Sequence, residues 1–169
     1  VRVWSPHEEL PGFVDEMSAG VRPVVRAAAD GEDAVRGADL VVTVTSSPVP
    51  VVEREWVEQG ALVISVGACR PDHREIDPAL LASGRLFVDS REAALAESGD
   101  VIQGISEGRF GPDHIEAELG EVIAGRPIAG NGGDPVIFKS LGLAVEDVAA
   151  ADVVYRRAVD CGVGAQLSL

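Results

Sequence analysis

Residues 61–66, Ala-Leu-Val-Ile-Ser-Val, form an unbroken apolar run rich in β-branched side chains and closed off by Gly60 and Gly67. So short and so uniformly apolar a run reads as a strand buried on both faces of a parallel sheet, and we expect a central strand here. Comparable runs stand at 1–4 (VRVW), 39–45 (DLVVTVT), 85–89 (RLFVD) and 135–139 (PVIFK). A weaker one, RPVVRA at 22–27, suits an edge strand because Pro23 is tolerated only there. Helical stretches are expected between them, at about 5–18 with Ser5 as cap, 30–37, 52–59, 77–83, 92–98, 114–124 and 143–158. Residues 99–113 are weakly patterned, and 125–134 are loop by composition. Short apolar strands alternating with helices specify βαβ units, hence an α/β fold with a doubly wound, mostly parallel sheet. The last helix is apolar or Ala nearly all round, which predicts that it is buried against something.

With 28 acidic against 14 basic residues the formal charge is −14. That balance repels phosphate backbones and anionic lipid, so neither nucleic acid nor a membrane is an expected partner, while small anionic cofactors remain possible at helix N-termini. No apolar run approaches the roughly 20 residues of a membrane span. Cys69 and Cys161 show no metal-ligand spacing and no metal is expected; two lone cysteines fit a reducing, cytoplasmic setting. The chain opens directly on a strand-like run, with neither initiator Met nor targeting segment, and is expected to be the later part of something longer.

Ligands of open α/β sheets bind at the carboxyl ends of strands. Four such ends gather small polar groups: Ser5; Thr45, Ser46 and Ser47; Val66, Gly67 and Ala68 leading into Cys69; and Ser140, Leu141 and Gly142 after Lys139, the only lysine of the chain. The polar loop 67–77 fits two readings equally: a site, or a solvated loop in which Asp72, Arg74, Glu75 and Asp77 form a surface ion-pair cluster. Lys139 borders a site or is a solvated strand end. Thr45, Ser46 and Ser47 contact a ligand or cap the next helix, and His73 and His114 read as exposed polar residues. No G-x-G-x-x-G loop, the cradle of a dinucleotide pyrophosphate, occurs anywhere in the sequence.

The segments GADLVVTVTSS (37–47), VISVGACRPDHREID (63–77), LFVDSREAALAESGD (86–100), ELGEVIAG (118–125) and VIFKSLGLAVEDVAAADVVYRRA (136–158) resemble, in order and spacing, the C-terminal half of the ornithine cyclodeaminase/μ-crystallin family. The resemblance implies a Rossmann-type domain over residues 1–142 that lacks its first strand and glycine-rich loop. Residues 143–169 would then be a C-terminal helix and tail packing on an absent N-terminal dimerisation half. It further implies an NAD or NADP cofactor touched by Ser5, Thr45, Ser46, Ser47, Val66, Gly67, Ala68, Ser140, Leu141 and Gly142, a small amino or imino acid substrate, hydride transfer, and a homodimer in the full-length member. Ornithine cyclodeaminases proper carry an acidic general acid/base where this chain has Cys69, followed by Pro-Gly-Lys where it has Arg70-Pro71-Asp72. The GA-x-RPD-x-RE pattern instead resembles the alanine dehydrogenase and ketimine reductase branch. Cys69 is either a proton relay or a small buried hydrophobe. Ser5-Pro6-His7 offers neither the acid that favours NAD nor the Arg that favours NADP. Alternatives are an ornithine cyclodeaminase (ammonia-lyase) proper or a truncated non-catalytic binding module, and the chain by itself is expected to be inactive.

Overall fold

The computed structural model describes residues 1–6, 10–20, 24–128, 133–165 and 167. Strands β1 (Arg2–Val3) and β2 (Arg26–Ala27) pair in parallel as a small sheet, with helix α1 (Pro11–Gly20) between them. The main sheet is five-stranded and wholly parallel: β3 (Leu40–Thr43), β4 (Leu62–Ser65), β5 (Arg85–Val88), β6 (Ile115–Glu118) and β7 (Val136–Lys139), in the order β3-β4-β7-β5-β6. Because β7 enters between β4 and β5, the carboxyl ends of β4, β7 and β5 adjoin one another. Helices α2 (Gly31–Val35), α3 (Pro78–Ser83), α4 (Arg91–Glu97), α5 (Gly99–Ser106), α6 (Leu119–Ile123) and α7 (Ala144–Cys161), with 3-10 turns at Arg54–Trp56 and Pro112–His114, complete the described elements.

One face of the main sheet is the core. Val63, Leu86, Val88 and Ile137 are sealed there beneath Ile76, Leu80, Leu81, Ala94 and Val101. The other face is only half covered: Leu62, Ile64, Val136 and Phe138 line an apolar groove of about 310 Å³ with Leu119, Val122 and Ile128. Consequently β3 and β4 are not buried on both faces as their composition suggests. Buried residues alternate along them with exposed or half-buried ones. A cleft of about 840 Å³ separates β1 from β3, lined by residues 1–4 on one side and 39–45 on the other. Expected as parts of one sheet, the strands thus form two sheets with an open edge between them.

Several elements depart from the sequence expectation. The helix expected over 52–59 is a single 3-10 turn at Arg54–Trp56, and Val52 instead bridges to Ile76. The stretch 114–124 is strand β6 followed by the short α6, not one helix. The weakly patterned stretch contains α5, whose N-cap is the fully buried Ser98. Helix α7 runs three residues beyond its expected end and has no buried residue within this chain. The edge strand expected over 22–27 is described only from residue 24, and is paired at 26–27; the first helix begins at Pro11, with 7–9 outside the described residues. Among the described residues, no helix is long and apolar enough to cross a membrane.

Candidate functional site

The last residues of three neighbouring strands are polar and in register: Thr43 pairs with Ser65, and Ser65 with Lys139. Side chains two apart on a strand share a face, so these three point where Val41, Val63 and Ile137 point, into the core. All three are buried. Two carboxylates meet this row from below.

The first is Glu75, fully buried in the loop after β4. Its Oε2 accepts from Thr43 Oγ1 (3.0 Å), Ser65 Oγ (3.1 Å), Gly67 N (2.8 Å) and Ala68 N (3.3 Å), and its Oε1 accepts from Thr45 N. The loop after β3 and the loop after β4 are thereby tied to one side chain. Gly67 is required at this junction, because a Cβ there would overlap the Thr45 backbone and Glu75 Oε1. The second is Asp100 in the first turn of α5. Its Oδ1 accepts the N–H groups of Glu75 (2.9 Å) and Ile76 (3.0 Å), and its Oδ2 pairs with Lys139 Nζ at 3.2 Å. Lys139 also donates to Ser65 Oγ (3.3 Å). Burial raises the Asp100 carboxyl above the ordinary carboxylate value, while Lys139 and the two N–H donors pull it back. No buried side-chain polar atom among the described residues is left without a partner.

Beside this cluster, Asp89 at the end of β5 fixes the turn after β7. Its Oδ2 accepts from Leu141 N (2.6 Å), Gly142 N (2.8 Å) and Ser140 Oγ (3.2 Å). Gly142 has φ +80°, in the left-handed region that glycine adopts without strain.

The structure brings Thr45, Ser46, Ser47, Val66, Gly67, Ala68, Ser140, Leu141 and Gly142 to one edge, since Ser140 N donates to Ser65 O (2.9 Å). Ser5 lies at the end of β1, beyond the cleft. Thr45 and Ser47 cap no helix: Ser47 N donates to Thr45 Oγ1 (3.1 Å) and Ser47 Oγ to Val49 O (2.7 Å). Cys69 is exposed, its Sγ donating to Val66 O (3.2 Å), and so is not a buried hydrophobe. Glu75 belongs to no surface ion-pair cluster, and Lys139 is no solvated strand end. His114 is half-buried and bonded through Nε2 to Leu81 O (2.7 Å). Glu75, Asp89 and Asp100 organise the edge; Glu75 stands in the loop that read as either a site or a solvated cluster, whereas for Asp89 and Asp100 the legible signal was only the alternation that sends Thr43, Ser65 and Lys139 inward. No cluster of three or more potential metal ligands occurs among the described residues.

A parallel sheet whose strand ends assemble hydroxyls, backbone N–H groups and a glycine junction on one edge is a Rossmann-type α/β domain. The chain belongs to the ornithine cyclodeaminase/mu-crystallin family, whose sequence model matches residues 1–162. It is 45% identical over 155 residues to the ketimine reductase mu-crystallin of Mus musculus, covering 92% of this chain and 46% of that protein. In structure it matches the Δ1-pyrroline-2-carboxylate reductase of Thermococcus litoralis, solved with NADH and L-proline, at TM-score 0.88 and 33% identity over 98% of this chain and 52% of that one. An archaeal alanine dehydrogenase dimer with bound NAD matches at TM-score 0.85 and 31% identity, over 100% of this chain and 52% of that one. The chain thus spans about half the length of the relatives it matches.

Proposed function

We propose that this domain is the nicotinamide-holding half of an NAD(P)-dependent enzyme that reduces a small imino acid, or oxidises the matching amino acid, by hydride transfer at the C=N/C–N carbon. The observation that carries the reading is the edge formed by the loops after β3, β4 and β7. Its buried carboxylates, Glu75 and Asp89, are turned inward and consumed by donors, so around Thr45, Gly67 and Ser140 the edge presents hydroxyls and apolar surface, with Asp72 of the same loop exposed to solvent. The fit is to the nicotinamide end, because no glycine-rich turn for the diphosphate occurs in the sequence. When bound, the cofactor supplies or accepts the hydride. The chain's own residues position it: Thr45, Ser46 and Ser47 on one side, Val66, Gly67 and Ala68 beneath, and Ser140, Leu141 and Gly142 alongside, with Ser5 toward the adenosine half. Cys69, exposed at this edge, is the candidate proton relay in the position of the family's acid.

The cleft between β1 and β3 is proposed to take one further strand and its phosphate-binding turn. Residues 1–142 then form the nucleotide domain of a cytoplasmic homodimer, and 143–169 contact the other half. The GA-x-RPD-x-RE loop supports reduction over cyclodeamination, and an assay for proline from ornithine separates the two.

Nuclear magnetic resonance titration of the labelled chain with NADH and NADPH tests the site. Weak binding is expected, with amide shifts confined to Ser5, 45–47, 66–68 and 140–142 and no turnover of a ketimine. Shifts elsewhere, or none, would overturn the site. Submicromolar affinity with turnover would overturn the need for a further strand.

A further inference from the structure

We infer that Glu75 is a positioning residue for the nicotinamide end of the cofactor, a buried clasp that sets the spacing of the loops after β3 and β4; the inference rests on the cofactor reading above. Glu75 is gripped at every polar atom it has. Its N–H goes to Asp100, its carbonyl accepts from Val51 N (2.8 Å) and Val52 N (3.2 Å), and its carboxylate takes five donors from both loops and both strand ends. Three of those donors are the backbone N–H groups of Thr45, Gly67 and Ala68, in the segments proposed to touch the cofactor.

A fold needing only to bury these strand ends satisfies Thr43 and Ser65 with neutral partners. What a neutral partner cannot do is accept three loop N–H groups and two hydroxyls at once. Glutamine at this position keeps the volume but replaces one acceptor oxygen by an NH2 group, which faces donors whichever way the amide turns. Part of the clasp opens and the loops separate to reach water. The cofactor then has to re-close them on binding, a cost that appears as lost affinity for the part of the ligand that bridges the loops. The adenosine half, at the β1 side of the cleft, is not charged that cost.

The test compares the unsubstituted chain with Glu75→Gln and Glu75→Asp in two measurements. Amide hydrogen exchange is expected to quicken at Thr45, Gly67 and Ala68 in Glu75→Gln while Val63, Val88 and Ile137 stay protected. The affinity for NADH is expected to fall by about tenfold, that for ADP-ribose by less than about twofold, with Glu75→Asp between the two because it keeps the acceptors on a shorter stem. Equal losses for NADH and ADP-ribose, or quickened exchange with unchanged NADH affinity, would reduce Glu75 to a structural residue and overturn the proposal. Where Glu75→Gln does not fold, Glu75→Asp alone must show the NADH-selective loss, and its absence overturns the proposal equally. Failure of the unsubstituted chain to shift with NADH at all overturns the cofactor reading instead, and the nicotinamide role with it, whereas the exchange rates still report whether the clasp holds the loops.

Discussion

At the scale of single residues, the charge arrangement at the sheet edge is asymmetric: three buried carboxylates, Glu75 and Asp100 beneath it and Asp89 beside them, stand against one buried ammonium, Lys139. Removing one member of a buried pair leaves the other uncompensated, at a cost of about 3–5 kcal/mol. Lys139→Met should therefore destabilise the chain strongly at neutral pH. The loss has a direction in pH, because Lys139 is a main influence holding Asp100 down against the upward push of burial. Without it the folded-state value of Asp100 rises further above the unfolded one. Such a carboxyl costs nothing while protonated, so stability is retained in acid and lost as pH rises through the folded value. Denaturant midpoints of Lys139→Met relative to the unsubstituted chain should diverge between acid and neutral pH, with the larger deficit at neutral pH. An equal deficit at both would show that Asp100 is not the group left stranded. In the sequence the inward direction of Lys139 was available from its two-residue spacing to Ile137, but its partner was not. Asp100 lies 39 positions earlier in a helix whose first residue is glycine, and only the third dimension joins them.

At the scale of elements, the edge strand β6 is held to β5 by a charged contact as well as by its ladder. The Arg85 guanidinium donates twice to the Glu116 carboxylate, through Nε at 2.9 Å and through Nη2, and lies over the Phe87 ring at 5.5 Å. The hydrogen bond from Arg85 holds Glu116 below its usual value. A group depressed in the folded state contributes above its unfolded value and loses that contribution as pH falls through the folded one. Glu116→Gln should thus cost about 1 kcal/mol near neutrality and converge with the unsubstituted chain in acid, measured as unfolding free energy across a pH series. A pH-independent deficit would point to packing instead. This strand was also the element least legible beforehand. Ile115-Glu116-Ala117-Glu118 alternates for only four residues before Leu-Gly-Glu-Val-Ile resumes a helical spacing, so the longer period masked the shorter. The helix α5 was hidden similarly. Gly99 and Gly104 lower its propensity, yet both are needed for space: a Cβ on Gly99 would overlap the backbone of Arg70 and His73, and one on Gly104 the ring of Phe110. By contrast β3, β4, β5 and β7 were legible because each is a short apolar run ending abruptly in polar residues.

At the scale of the whole molecule, α7 and the main sheet share almost no buried surface. The helix has 18 residues, about 27 Å, and its side chains Val145, Val148, Val153, Val154, Tyr155 and Val159 are 54–69% exposed. Composition alone could not show this, since an apolar helix reads as buried whether its partner belongs to the same domain or to another. The consequence is measurable. A helix with no buried residue contributes little to the stability of the body it leaves, while its exposed valines offer a surface for self-association. Ending the chain after Leu143 should change the unfolding free energy of the remaining domain by no more than about 0.5 kcal/mol, the range of surface changes away from packed features. Light scattering should show less association than in the whole chain. A loss of about 2 kcal/mol or more on truncation would instead mean that α7 packs on its own domain. Unchanged stability with unchanged association would shift the adhesive surface to the apolar groove of Leu62, Ile64, Val136 and Phe138, which the truncation leaves intact.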